Sequence, residues 1–206
     1  MISRHQHLTR QPAKMVWPMR LFTGIALAPN VEAKLSAVLE ELRPKAALNW
    51  SPVPNLHITC KFIGAWTEDR LPALQAALAA IRSAGPIRIA ISGFGFFPNP
   101  HHPHSLFAGV QAGGALTELA TTIDQALVPS GCQPETRTFH PHVTLARIKR
   151  TSDIQALREH IATMADFDFG SFNAGEFHLY LSQPGRHASA YTKLATYDLV
   201  RELNTI

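Results

Sequence analysis

The sequence predicts an α+β fold made of two duplicated ferredoxin-like β-α-β-β-α-β units, arranged as two lobes around a pseudo-twofold axis with a central cleft. Three observations carry that prediction. Leu21 to Leu27 reads LFTGIAL, and Leu106 to Ala112 reads LFAGVQA, 85 positions later. His57-Ile58-Thr59 and His142-Val143-Thr144 recur at the same offset of 85. Between these landmarks, Val31, Val38 and Leu42 match Leu116, Ile123 and Leu127 at that offset, inside two segments with helical spacing.

The elements follow in order. A strand is expected from about Arg20 to Leu27, then a helix from about Val31 to Arg43, with Asn30 as its cap and Val31, Leu35, Val38, Leu39 and Leu42 on one face. Short strands follow near Leu48 to Trp50 and Leu56 to Ile63, and a helix from about Glu68 to Ser83 closes at Gly85, with Thr67 as N-cap. Ile87 to Phe96 alternates apolar with polar or small residues as a strand does, ahead of the loop FPNPHHPHS. The second copy begins near Leu106. It has a helix from about Ala115 to Val128, a strand with the second His-x-Thr, and a helix from about Asp153 to Met164 with Ser152 as cap. Strands near Gly175 to Ser182 and Ala190 to Leu199 flank the loop QPGRHAS.

With 206 residues, 46% of them hydrophobic, residues 19–206 suffice for a single bilobal domain of two intertwined repeats. Residues 1–18 are polar and basic and read as a disordered extension. The segment lacks the apolar core of a secretory signal, and no stretch of the chain is long and apolar enough to span a bilayer as a helix, so no membrane role is expected. A net charge of +4 suits an anionic substrate but lacks the dense basic stripe of a duplex binder. Cys60 and Cys132 are distant in sequence and match no pairing rule, which points to reduced thiols and a cytoplasmic protein. A monomer is expected.

His-x-Thr alone is a weak signal, because a chain with 11 histidines in 206 residues contains about one by chance. His7-Leu8-Thr9 is such a copy, with no strand pattern around it. His57 and His142 differ from it in opening matched apolar runs, HITCKFIG and HVTLARI. Strand alternation places His57, Thr59 and Lys61 on one face, and His142 and Thr144 on the equivalent one. Arg147 has the parity of the buried set and reaches a phosphate only from the strand end or past a bulge. Arg137 and His140, just upstream, are candidates to touch a phosphate or a terminal base. His101, His102 and His104 sit in a Pro-rich loop without the acidic or cysteine partners of a metal site, so no metal and no cofactor is expected.

Two imidazoles on opposite sides of a phosphodiester divide the proton transfers: one takes a proton from attacking water, the other gives one to the departing oxygen. The two threonine hydroxyls face the same way and are placed to hold non-bridging oxygens.

At these residues the chain resembles the 2H phosphoesterase superfamily, and within it the RNA 2′,3′-cyclic phosphodiesterases, historically called 2′-5′ RNA ligases. MRLFTGIAL is similar to the family's opening strand, NLHITCKFIG and RTFHPHVTLAR to its two motifs, and GFGFFPNP to its central segment. The resemblance implies hydrolysis of an RNA 2′,3′-cyclic phosphate end to a 2′-phosphomonoester. It also implies that His57 is the proton donor and His142 the acceptor, with the RNA end as partner. Cys60 stands where the family usually has leucine, at a position facing the core. Two other readings use the same residues: 2′-5′ RNA end joining, the reverse reaction, and a non-catalytic module that binds RNA ends.

Overall fold

A computed structural model describes residues 18–83, 85–185 and 188–199. The expected disordered extension lies outside these residues except for Pro18, as does the His-x-Thr at His7. The chain forms β1 (Met19–Ala26), α1 (Pro29–Leu42), β2 (Asn49–Trp50), β3 (His57–Trp66), α2 (Leu71–Ala79) and β4 (Ile87–Phe97). The second copy supplies β5 (Ser105–Gln111), α3 (Gly113–Leu127), β6 (His142–Arg147), α4 (Gln155–Ala162), β7 (Asp168–Ala174), β8 (Glu176–Gln183) and β9 (Ala190–Asp198).

The strands run β7-β4-β5-β6-β3-β1-β8-β9, every pairing antiparallel, with β2 alongside the end of β6. The order divides into two four-stranded halves, β3-β1-β8-β9 and β6-β5-β4-β7, so the bilobal duplicated α+β fold is what the chain adopts. Each half borrows from the other copy: β4 pairs with β5, and β8 pairs with β1. The helices cross in the same way, α1 packing on β7 and α3 on β3.

The halves meet at one register pair, Ile58 opposite Val143 on β3 and β6. Both side chains are fully buried in the core, and so are Leu35, Leu39 and Leu42 of α1 and, on α3, Leu116, Ile123 and Leu127. Burying an aliphatic side chain of this size contributes about 2 kcal/mol, so the two apolar helix faces fix the lobes against each other.

Four boundaries differ from expectation. Ala28, not Asn30, is the first cap of α1, because Pro29 fits the first helical position; the Asn30 amide instead donates to the Ser171 carbonyl at 3.5 Å. The second helix is shorter than Glu68 to Ser83: a 3₁₀ turn at Glu68–Arg70 precedes α2, and Pro72 in its first turn fits only an α-helix start there. The Thr67 side chain makes no capping bond. α4 begins at Gln155, where the Asp153 carboxylate rather than Ser152 accepts the backbone N–H at 3.0 Å.

Candidate active site

β3 and β6 carry the same burial pattern: half-buried, buried, half-buried, buried, buried, exposed from His57 to Phe62 and from His142 to Arg147. The doubled buried position is a β-bulge. In β3, Thr59 pairs with Gly24 and Lys61 with Thr23, which leaves Cys60 unpaired. In β6, Thr144 pairs with Phe107 and Ala146 with Leu106, which leaves Leu145 unpaired, 85 positions after Cys60. A bulge adds one residue and so inverts the facing of everything after it.

That inversion corrects the expected placement of Lys61. It does not line the cleft. Only 6% exposed, it turns to the helix side, where its ammonium pairs with the Asp124 carboxylate on α3 and donates to the Gln133 carbonyl at 2.9 Å. The same inversion carries Arg147 onto the His142 face, where it is exposed. Phe62 takes the equivalent place beside His57, 62% exposed with its ring 6.2 Å from that of Phe22.

The pairing of Ile58 with Val143 sets the histidine arrangement. Carrying the antiparallel register one residue either way sets His57 across from Thr144 and Thr59 across from His142, all four on the face opposite the core. Both imidazoles are anchored alike. The His57 Nδ1 lies 2.7 Å from the Asn55 carbonyl, and the His142 Nδ1 lies 2.7 Å from the His140 carbonyl. A carbonyl only accepts, so each Nδ1 carries the proton and each Nε2 is the titrating nitrogen. The His57 Nε2 bonds the Thr59 hydroxyl at 2.9 Å, whereas no second hydrogen bond holds the His142 ring among the described residues.

Aromatic rings fix both imidazoles. His57 lies 4.7 Å from Phe22, 5.3 Å from Tyr191 and 5.9 Å from Tyr180, and His142 lies 4.8 Å from Phe97 and 5.5 Å from Phe107. Phe22 and Phe107 are repeat partners, one beside each histidine. Gly95 makes room for the second: a Cβ there would sit 2.2 Å from the Phe107 Cζ. Gly24 plays a similar part, since a Cβ would stand 2.7 Å from the Ile58 carbonyl and 3.3 Å from the His57 ring.

Burial pushes the His57 imidazole below its ordinary value, the Asn55 carbonyl opposes that, and charge on His142 lowers it further. His142 is lowered likewise by burial against the pull of the His140 carbonyl, with Arg147 and the His140 ring adding to the fall. His57 therefore senses charge on His142, and His142 senses charge on Arg147. His140 itself is exposed, its ring 6.4 Å from Phe97. Arg137 is not brought in: its side chain, 79% exposed, forks onto Glu135 at 3.0 and 2.9 Å and holds that carboxyl down at about 2. Phe22, Phe107, Tyr180, Tyr191 and Gly95 escaped the sequence reading; for the two phenylalanines the repeat offset was a usable signal.

Paired His-x-Thr strands on a duplicated, strand-exchanged α+β scaffold define the class of two-histidine phosphoesterases. A family model described as the 2′-5′ RNA ligase superfamily matches residues 29–186, and the chain belongs to that family. It is 36% identical over 141 residues to the RNA 2′,3′-cyclic phosphodiesterase of Aeropyrum pernix, covering 68% of this chain and 80% of the relative. With the same-named protein of Archaeoglobus fulgidus it shares 29% identity over 180 residues, 87% of this chain and all of that one. Among solved structures, E. coli LigT complexed with 3′-AMP superposes with a TM-score of 0.72 at 25% identity, covering 89% of this chain and 99% of that one. TT0787 of Thermus thermophilus gives 0.72 at 26% identity, over 88% and 98% of the two chains.

Proposed function

We propose that the protein hydrolyses RNA 2′,3′-cyclic phosphate ends to 2′-phosphomonoesters, with His57 as general acid and His142 as general base and without a metal ion. The observation that carries this reading is the matched Nδ1 anchoring of two imidazoles on adjoining strands across the repeat axis. That anchoring reserves two Nε2 atoms, one from each copy, for proton transfer to and from one substrate.

In the reaction, water attacks phosphorus while its proton passes to the His142 Nε2. The bond from phosphorus to O3′ breaks as the His57 Nε2–H delivers its proton to that oxygen, and the phosphate stays on O2′. Microscopic balance is complete, since the proton gained by His142 equals the one lost by His57. When His57 is charged, its Nε2–H donates to the Thr59 hydroxyl until substrate oxygen replaces it. Thr59 and Thr144, diagonal on the shared face, hold the non-bridging oxygens. Arg147 adds a cation to the same face, and exposed Phe62 offers an aromatic surface to the terminal base. His140 stands at the rim. We read the enzyme as a monomer acting in the cytoplasm; Cys60 and Cys132 are both free and buried, and no helix of the described residues is long and apolar enough to cross a membrane.

The names of the relatives support this direction of chemistry, and hydrolysis needs no second RNA end. The test is phosphorus NMR of a 2′,3′-cyclic nucleotide incubated with the protein in excess chelator. A 2′-monoester signal is expected. Turnover that requires added metal, or a 3′-monoester product, would reject the reading.

A further inference from the structure

Five cations lie in two short segments more than a hundred positions apart, Arg43-Pro44-Lys45 and Arg147-Ile148-Lys149-Arg150. The fold joins them. β2 pairs with the end of β6, Asn49 opposite Arg147 and Trp50 opposite Ala146, so the turn leaving α1 lies beside the segment leaving the candidate active site. Between them is a cavity of about 500 Å³ lined by Lys45, Lys149, Thr151, Ser152 and Asp153.

The walls are held in place by the fold. The Trp50 indole N–H donates to the Ala46 carbonyl at 3.1 Å, and the Ser152 N–H to the Lys149 carbonyl at 3.0 Å. The lone carboxylate in the lining, Asp153, accepts the Gln155 N–H at the start of α4. The lining thus holds two lysines and two hydroxyl residues with one engaged acid, a balance suited to a phosphate rather than a cation.

We propose that this cavity is a second phosphate subsite, holding the backbone of single-stranded RNA several nucleotides to the 5′ side of the reacting end. The inference rests on the cyclic phosphodiesterase reading for its direction. β6 starts at His142, passes Thr144 and ends at Arg147, about 16 Å away at the usual rise per residue, and two residues beyond the strand the chain reaches Lys149 at the cavity. A chain whose terminal phosphate sits between the histidines therefore meets cations at successive steps, as single-strand binders arrange them.

The test compares the wild-type protein with the double variant Lys45→Ala/Lys149→Ala on two substrates, a 2′,3′-cyclic mononucleotide and a decameric RNA with the same end. Both lysines are exposed, so the variant keeps the fold. The expected result is unchanged turnover of the mononucleotide and a roughly tenfold higher KM for the decamer, with a salt dependence flatter by about 1.4 in log–log slope for two lost phosphate contacts. Equal behaviour of both proteins on the decamer would overturn the subsite, and so would an equal loss on both substrates. If wild type turned over neither substrate, the phosphodiesterase reading would fall by itself. Titration of labelled decamer by fluorescence anisotropy would then still decide the subsite, a difference in affinity and salt slope between the two proteins supporting it and identical curves overturning it.

Discussion

Ile58 stands opposite Val143 in antiparallel register, and because the two are equivalent positions of the repeat, this pair lies on the symmetry axis itself. The His-x-Thr motifs enclose that pair on both strands. Their imidazoles are therefore related by the axis rather than by chance proximity, and a group bound on the axis meets one from each side.

In the proposed mechanism, replacing either histidine removes one of two proton transfers. His57→Ala and His142→Ala are each expected to lower kcat by roughly 10²–10⁴-fold, with the loss in kcat far exceeding any change in KM. Steady-state kinetics on a cyclic mononucleotide, beside circular dichroism to verify folding, checks this.

The pH profile follows from the direction of both shifts. In the proposed mechanism the free protein needs His57 charged and His142 neutral, and both rings lie below the ordinary histidine value of 6.5. The bell in kcat/KM is thus expected to centre on the acid side of 6.5, its limbs belonging to the coupled pair. Arg147→Ala takes away a charge that disfavours the protonated His142. The base then titrates at higher pH, and the acid limb moves upward; an unmoved limb would contradict the placement of Arg147.

Lys61 and Arg147 give opposite signatures despite the family-like motifs around them. Arg147→Ala is expected to raise KM for the phosphate ester with little effect on stability, since the side chain is exposed. Lys61→Ala leaves Asp124 without its buried partner and is expected to cost about 2–4 kcal/mol of stability. Thermal unfolding and KM, measured on both variants, separate the two.

Gly95→Ala is expected to displace the Phe107 ring, which the new methyl would overlap, and with it the packing of His142. A fall of about tenfold or more in kcat, with the bell profile distorted on its base-controlled limb, is the expected outcome.

Much of this was legible in the sequence, for a definite reason. The duplication repeats its apolar pattern and its His-x-Thr at one offset, so two copies vouch for each other's strands, and His57, Thr59, His142 and Thr144 emerge together. The bulges were not legible, because Cys60 and Leu145 look like ordinary buried strand residues. Strict alternation therefore sent Lys61 to the wrong face and left Arg147 stranded. β7 was missed on similar grounds. Its Asp168, Gly170 and Asn173 are poor strand formers, Gly170 has φ +104°, and the register against β4 skips Phe169, so tertiary pairing rather than local pattern makes it a strand. The aromatic setting of the histidines depends on the strand exchange, which brings Tyr180 from the second copy to His57 of the first.

The division of labour between the histidines is tested most directly with a cyclic substrate whose bridging 3′ oxygen is replaced by sulfur, because a departing thiolate needs no proton. This substrate is expected to restore turnover to His57→Ala by orders of magnitude and to leave His142→Ala inactive. Rescue of His142→Ala instead, or of neither variant, would contradict the assignment of His57 as the acid.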